Sequence, residues 1–306
     1  MQIIKKKNFT RIQLTDPSKK EINDLQKTYE FHELILEDLY ERNHENKTDM
    51  YDDDTLYISL NFLKYTSDSK TYIVNPFQII VWKWYVITIG RYVSTNIDLL
   101  VQRAKKWELD DQDEDTLFDV VYEVLNTMYD KTIKWIKKAN QSILLLQEDF
   151  LHTKSLQDDY LSDLIIIKLN LLAILHTFRP QREILSELNK WLKRLLWANT
   201  HKEEEYALYI DDLDAKLDKI IHNAHKLVDT LSLLSDSYDT MMSIRTNKQV
   251  RILTIITAIT WILTLVVGAY GMNVQLPFQE SPAMFWVLMV VMWLITFLLL
   301  YFLKKK

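Results

Sequence analysis

The chain has 306 residues, 48% of them hydrophobic and 26% charged, with a formal net charge of −5 and no cysteine. The lack of thiols excludes disulfides and thiolate metal sites and fits a reducing compartment. The acidic balance, with no basic cluster interleaved with aromatics, gives no footprint for nucleic acid.

At the N-terminus, Lys5, Lys6 and Lys7 have no apolar run behind them, so Met1–Leu14 is not expected to be a signal peptide. Lys20–Tyr40 has helical apolar spacing through Leu25, Tyr29 and His32. Leu56–Leu63 and Phe77–Ile89 are rich in β-branched and aromatic residues and predict strands. Ser67–Lys70 and Asn75-Pro76 carry turn chemistry between them. Residues 1–107 therefore read as a small α/β domain.

The character changes at about residue 108. The acidic run Glu108–Asp115 is expected to be solvated at a helix start, where the dipole favours it. Leu117–Trp197 reads as two long amphipathic helices, with Val121, Leu125 and Met128 on one face. Residues 108–200 thus form a helical region that breaks near Asn199–Lys202. No Pro or Gly lies between Pro180 and Gly268, so a single helix is expected over Glu203–Tyr270. At 1.5 Å per residue it would be on the order of 100 Å long. A helix of that length needs partners along its apolar stripe.

Ile252–Tyr270 and 283–303 contain no Asp, Glu, Lys, Arg or His. Each approaches the roughly 20 apolar residues that cross a bilayer as a helix. Arg245, Lys248 and Arg251 precede the first stretch, and Lys304–Lys306 follow the second. The connecting segment 271–282 has Glu280, Pro277 and Pro282 but no Lys or Arg. The positive-inside rule then places both termini in the cytoplasm and 271–282 outside. The expectation is an α+β cytoplasmic domain with long helices, followed by two C-terminal transmembrane helices in the plasma membrane.

Enzymatic signatures are missing. His222 and His225 share a helical face but have no third ligand nearby in sequence, and read as a solvated pair. Gly90 stands alone, which leaves no phosphate-binding glycine loop, and no serine sits in a nucleophile elbow. Two uncharged spans hold neither a proton relay nor a charged pair. They cannot enclose a water-filled path by themselves, so a pore would take several copies. The polar content is concentrated on the first span: Thr254, Thr257, Thr260 and Thr264, with Asn273 at its exit. Threonines at this spacing either line a pore or bond back to their own helix; spacing leaves both readings open.

Tyr270-Gly271-Met272-Asn273, at the end of the first of two C-terminal spans, resembles the signature of the CorA family of divalent-cation channels. The resemblance extends over most of the chain. Asn247-Lys248-Gln249-Val250-Arg251-Ile252-Leu253-Thr254 is similar to the family's membrane-entry segment, and Asp236-Ser237-Tyr238 to part of its stalk. Phe178-Arg179-Pro180-Gln181-Arg182-Glu183 resembles its helix-tip signature. His32, Glu37-Asp38 and Tyr51-Asp52-Asp53 resemble its N-terminal domain.

The resemblance implies a homopentameric funnel that carries Mg²⁺, and also Co²⁺ or Ni²⁺, into the cytoplasm and is gated by cytoplasmic Mg²⁺. By motif position, Gly271, Met272 and Asn273 form the selectivity filter. Asn247, Val250, Leu253, Thr264 and Gly268 line the pore, with Leu253 and Val250 as a narrow apolar collar. Gly271 is expected to permit a tight turn at the mouth. Asp212 falls at the stalk position of a regulatory metal site, with Asp98 as its candidate partner and Asp236 as a further candidate. The family's proline in mid-span is replaced near Trp261-Ile262. A zinc transporter of the related ZntB type shares this architecture, although Met272 favours CorA. A non-conducting membrane-anchored scaffold is the reading outside the transporter class.

Overall fold

The computed structural model describes residues 2–5, 9–41, 45–51, 55–82, 84–90, 116–152, 158–195, 200–272 and 281–304. The chain divides into two compact units, Met1–Ser235 and Asp236–Lys306.

The first unit is built on a six-stranded sheet. Its strands are β1 (Gln2–Lys5), β2 (Thr10–Thr15), β3 (Lys47–Tyr51), β4 (Thr55–Thr66), β5 (Thr71–Trp82) and β6 (Tyr85–Gly90), in the order β1-β2-β6-β5-β4-β3. β2 and β6 pair parallel, and the other neighbours pair antiparallel. Between β2 and β3 lie α1 (Lys19–Tyr29) and α2 (Glu33–Tyr40).

The helix expected over Lys20–Tyr40 is therefore two, and local chemistry sets the break. α1 starts in a capping box: Glu21 N–H donates to Ser18 Oγ at 3.3 Å, and Ser18 N–H donates to Glu21 Oε2 at 2.8 Å. It ends at Glu30, whose φ of 49° is left-handed. His32 then caps α2, its Nδ1 accepting Leu34 N–H at 3.2 Å while its ring stacks on Tyr51. The sheet buries Ile12, Leu14, Ile87 and Ile89 on the face that receives Ile22, Leu25, Ile35 and Leu39 of these helices.

Three further helices follow: α3 (Leu117–His152), α4 (Asp158–Phe178) and α5 (Gln181–Leu195). α4 packs on β4 and β5, and α3 on β6. The two helices expected over Leu117–Trp197 are thus three. Pro180 makes the extra break, because it has no N–H for the helical ladder and restricts the residue before it. Its carbonyl instead accepts Glu183 N–H at 3.3 Å at the start of α5.

Two strand expectations also change. Phe77–Ile89 contains the end of β5 and most of β6, with Trp82 opposite Tyr85. It reads as one run because the residues that flank the reversal are aromatic. Asn75-Pro76 lies inside β5, where Pro76 sits opposite Asn61. Proline cannot donate to a ladder, and Asn61 bonds elsewhere. Its carbonyl accepts Gln181 Nε2 at 2.7 Å, and its N–H donates to Asn46 Oδ1 at 2.7 Å. Gln181 is fully buried. The Phe178–Glu183 segment is therefore the piece that docks α4 and α5 onto the sheet at a strand proline.

The last two helices are α6 (Thr200–Tyr270) and α7 (Pro282–Lys304). α6 contributes its first part to the first unit and its last part to the second. In the first unit it buries Tyr206, Ile210, Leu213, Leu217 and Ile220. Asp52, Asp53, Asp98, the acidic run 108–115 and Asn273 lie outside the described residues.

Candidate metal-ion site

Within the second unit each helix has one partly covered seam. On α6 it is Ile255, Ile259, Leu263 and Val266; on α7 it is Met284, Leu288, Met292 and Ile295. Ile259 is the most buried of these, at 8% exposure. An α-helix turns about 100° per residue. On that spacing Val250, Leu253, Thr257, Thr260, Thr264, Gly268 and Gly271 fall in one sector roughly 80° wide, centred roughly 140° away from the α6 seam. All the expected pore-lining residues except Asn247 thus share one stripe, and that stripe faces away from the surface α6 covers within its own unit. Asn247 falls roughly 60° beyond the edge of the sector. Trp261, 69% exposed, flanks the edge rather than the centre.

The stripe has a specific polarity. Thr257, Thr260 and Thr264 on the stripe, and Thr254 roughly 40° beyond its edge, each donate their hydroxyl to the carbonyl four residues back, at 2.8–2.9 Å. Back-bonding uses the proton and leaves oxygen lone pairs outward. The two readings of these threonines are therefore compatible: one stripe of neutral acceptors, each pinned by its own helix. Leu253 and Val250, 64% and 54% exposed, close the stripe with apolar surface at its N-terminal end.

At the other end Gly271 N–H donates to Val267 O at 2.9 Å, and Met272 N–H to Ala269 O at 3.4 Å. No described glycine has a positive φ, so Gly271 does not serve a left-handed turn. The residue ends the helical ladder in a turn, and a Cβ there would stand 3.3 Å from the Val267 carbonyl oxygen, a close but local contact. Gly268 meets nothing within 4 Å and leaves a bare patch of backbone on the stripe.

Asp212 belongs to the first unit and is already occupied. Its Oδ2 accepts the Tyr122 hydroxyl at 2.9 Å and lies 3.1 Å from Lys216 Nζ. Lys216 also approaches Asp130 Oδ1 at 3.3 Å and donates to Asn126 Oδ1. Burial, and then the bond to Asp212, push the Tyr122 phenol up to about 12. Lys216 is the residue that sequence reasoning missed, although its i, i+4 spacing from Asp212 is a visible ion-pair signal. Asp236 is exposed and one helical turn before Thr240, whose hydroxyl bonds its carbonyl. His222 is exposed, as a solvated histidine would be, whereas Arg179 of the Phe178–Glu183 tip contacts His225 Nε2. Among the described residues, no group of three or more His, Asp or Glu side chains is placed to hold a metal.

Two stretches pass the length and hydropathy test for a membrane helix, and burial separates them. Tyr160–Trp191 is 33% buried in its most apolar window and helps build the first unit's core. The equivalent window of Glu204–Tyr270 is 6% buried. An apolar surface so bare is built for lipid or for other copies. A family model described as CorA-like Mg²⁺ transporter protein matches residues 6–305. This chain belongs to that family. The chain is 24% identical over 308 residues to the cobalt/magnesium transport protein CorA of Thermotoga maritima, a match that covers 98% of this chain and 82% of that one. The complete structure of the CorA magnesium transporter from Methanocaldococcus jannaschii superposes with a TM-score of 0.81 at 19% identity, covering 98% and 91% of the two chains. The full-length CmaX protein superposes at 0.74 and 16% identity, covering 95% and 88%. The fold is CorA-like: an α/β N-terminal domain with long helices, then long C-terminal helices. The chain is a CorA-family divalent metal transporter of a membrane, not an enzyme.

Proposed function

We propose that this CorA-family protein is a homopentameric plasma-membrane channel that admits Mg²⁺, and also Co²⁺ or Ni²⁺, down its electrochemical gradient. The observation that carries the reading is the neutral stripe of α6. It is uncharged, presents acceptor oxygens, and faces away from the covered seam of α6, as a helix must if several copies line one path. Gly271, Met272 and Asn273 form the mouth, Thr264 and Gly268 the wall, Leu253 and Val250 the collar, and Asn247 the cytoplasmic exit. Mg²⁺ gives up its waters reluctantly, so neutral acceptors suit a hydrated ion. The apolar collar gates by dewetting. A divalent ion moving inward gains about 4.6 kcal/mol per 100 mV, which is a sufficient driving force.

On this reading 1–107 and 108–200 form the cytoplasmic body, 203–270 is the stalk and first span, 271–282 is the external loop and 283–303 is the second span. Both termini are cytoplasmic. Asp212 contributes to closure when cytoplasmic Mg²⁺ is plentiful, with Asp98 and Asp236 as further carboxylates. An ion arriving at Asp212 competes with the Lys216 ammonium, which raises the concentration needed for that response.

The test is the mass of the purified assembly together with Mg²⁺ uptake into proteoliposomes. Five copies and Mg²⁺ uptake that falls in Asn273→Ala support the proposal. Zn²⁺ uptake without Mg²⁺ uptake points to a ZntB-type transporter, and a monomer or dimer without flux to a scaffold.

A further inference from the structure

The first unit contains a cleft of about 670 Å³ between the β4–β5 hairpin, α3 and α4, remote in sequence from every residue of the ion pathway. Its wall is aromatic. Tyr72 lies against Trp135, ring centroids 4.7 Å apart, and Tyr65 meets Tyr72 edge-on at 5.4 Å. Tyr65 is 48% exposed, which is a large ring surface to leave in water. The wall is held in place. Asn170 of α4 accepts Tyr72 N–H through Oδ1 at 2.9 Å and donates Nδ2 to the Lys70 carbonyl at 2.9 Å. One amide therefore clamps the hairpin tip to the helix and preforms the cleft.

The charges in the cleft are segregated. α3 and α4 pack against each other, and both line the cleft, α3 through Trp135 to Asp149 and α4 through Asp163 to Asn170. Asp149, near the end of α3, and Asp163, near the start of α4, sit at one end of it. Lys138 and Asn170, with Lys70 of the hairpin, sit at the aromatic end. Along α3, Lys138 and Asp149 are roughly 16 Å apart at 1.5 Å per residue. Rings and ammonium groups thus share one end, and carboxylates hold the other. The aromatic end suits a flat ring stacked on tyrosine beside an anionic group held by lysine. The carboxylates oppose extra negative charge reaching along the cleft.

We propose that this cleft binds a planar aromatic anion of the nucleoside monophosphate class, with its ring on the exposed Tyr65, which Tyr72 and Trp135 back, and its phosphate between Lys70 and Lys138. The inference stands apart from the transport reading, and its test uses no ion flux.

The experiment is equilibrium dialysis of radiolabelled AMP against the full chain in detergent, without divalent ions. Adenosine, inorganic phosphate and ATP serve as competitors. Saturable binding of one AMP per chain is expected, with adenosine and phosphate each on the order of tenfold weaker. ATP should bind no more tightly than AMP. Lys138→Glu and Tyr65→Ala change exposed side chains and should each weaken AMP by on the order of tenfold, with circular dichroism unchanged. Absence of saturable binding overturns the proposal, and so does binding that survives both variants. Phosphate binding as tightly as AMP would remove the ring from the site and equally overturn it.

Discussion

On the proposed reading α6 offers a divalent ion two surfaces, and they are built on opposite chemistry. Along Val250–Gly271 it presents neutral oxygens and bare backbone, with every threonine proton spent on its own helix. At Asp212 it presents a full charge that Lys216 and Tyr122 already satisfy. A neutral surface neither traps a doubly charged ion nor needs to be emptied before one arrives. A charged and prepaired surface responds only when the ion outcompetes the ammonium. The first suits passage, the second a threshold.

Several substitutions would break or sharpen that contrast. The largest effect is expected at the mouth, where Asn273→Ala should lower Mg²⁺ uptake by on the order of tenfold or more, as loss of an outer-sphere partner does at metal sites. Uptake into proteoliposomes at fixed membrane potential measures it. Leu253→Ser should raise basal uptake at high internal Mg²⁺, because a polar collar stays wet; a flux trace after internal Mg²⁺ loading reads this. Lys216→Met should shift Mg²⁺-dependent protection from protease to lower Mg²⁺, since Asp212 is then unpaired. Asp212→Asn in the same assay should abolish the shift. The smallest effect on transport belongs to Gln181→Leu. It strips the Asn61 carbonyl of its partner and should destabilise the first unit by about 1–3 kcal/mol, read by denaturant unfolding, with little change in flux per folded channel.

What the sequence could reveal followed from the range of the interactions. The long α6 was legible because helix continuity is local: it needs only the lack of Pro and Gly between Pro180 and Gly268. The threonine stripe was legible for the same reason, as a matter of spacing along one helix. The break at Glu30–His32 was not, because it depends on a left-handed residue and a histidine cap within an amphipathic pattern. Asn75-Pro76 misled because a proline is tolerated inside a strand where its partner asks for no N–H, and Asn61 opposite it turns both backbone groups away from β5. The Asn61 carbonyl turns to Gln181, distant in sequence. The occupancy of Asp212 was hidden likewise, since Tyr122 reaches it from another helix. Gly271 does lie in a turn, but one without a positive φ, so its backbone conformation alone does not call for glycine.

The lack of cysteine gives the central claim a clean test. Thr257, Thr264, Gly268, Ile255 and Ile259 can each be replaced by cysteine in an otherwise thiol-free channel. Each variant is then exposed to a small, water-soluble, thiol-reactive cation while Mg²⁺ uptake is recorded. The account predicts that Thr257→Cys, Thr264→Cys and Gly268→Cys react and lose uptake, whereas Ile255→Cys and Ile259→Cys keep it. Block at the isoleucine positions with none at the threonines would place the ion path on the other face of α6 and contradict the account.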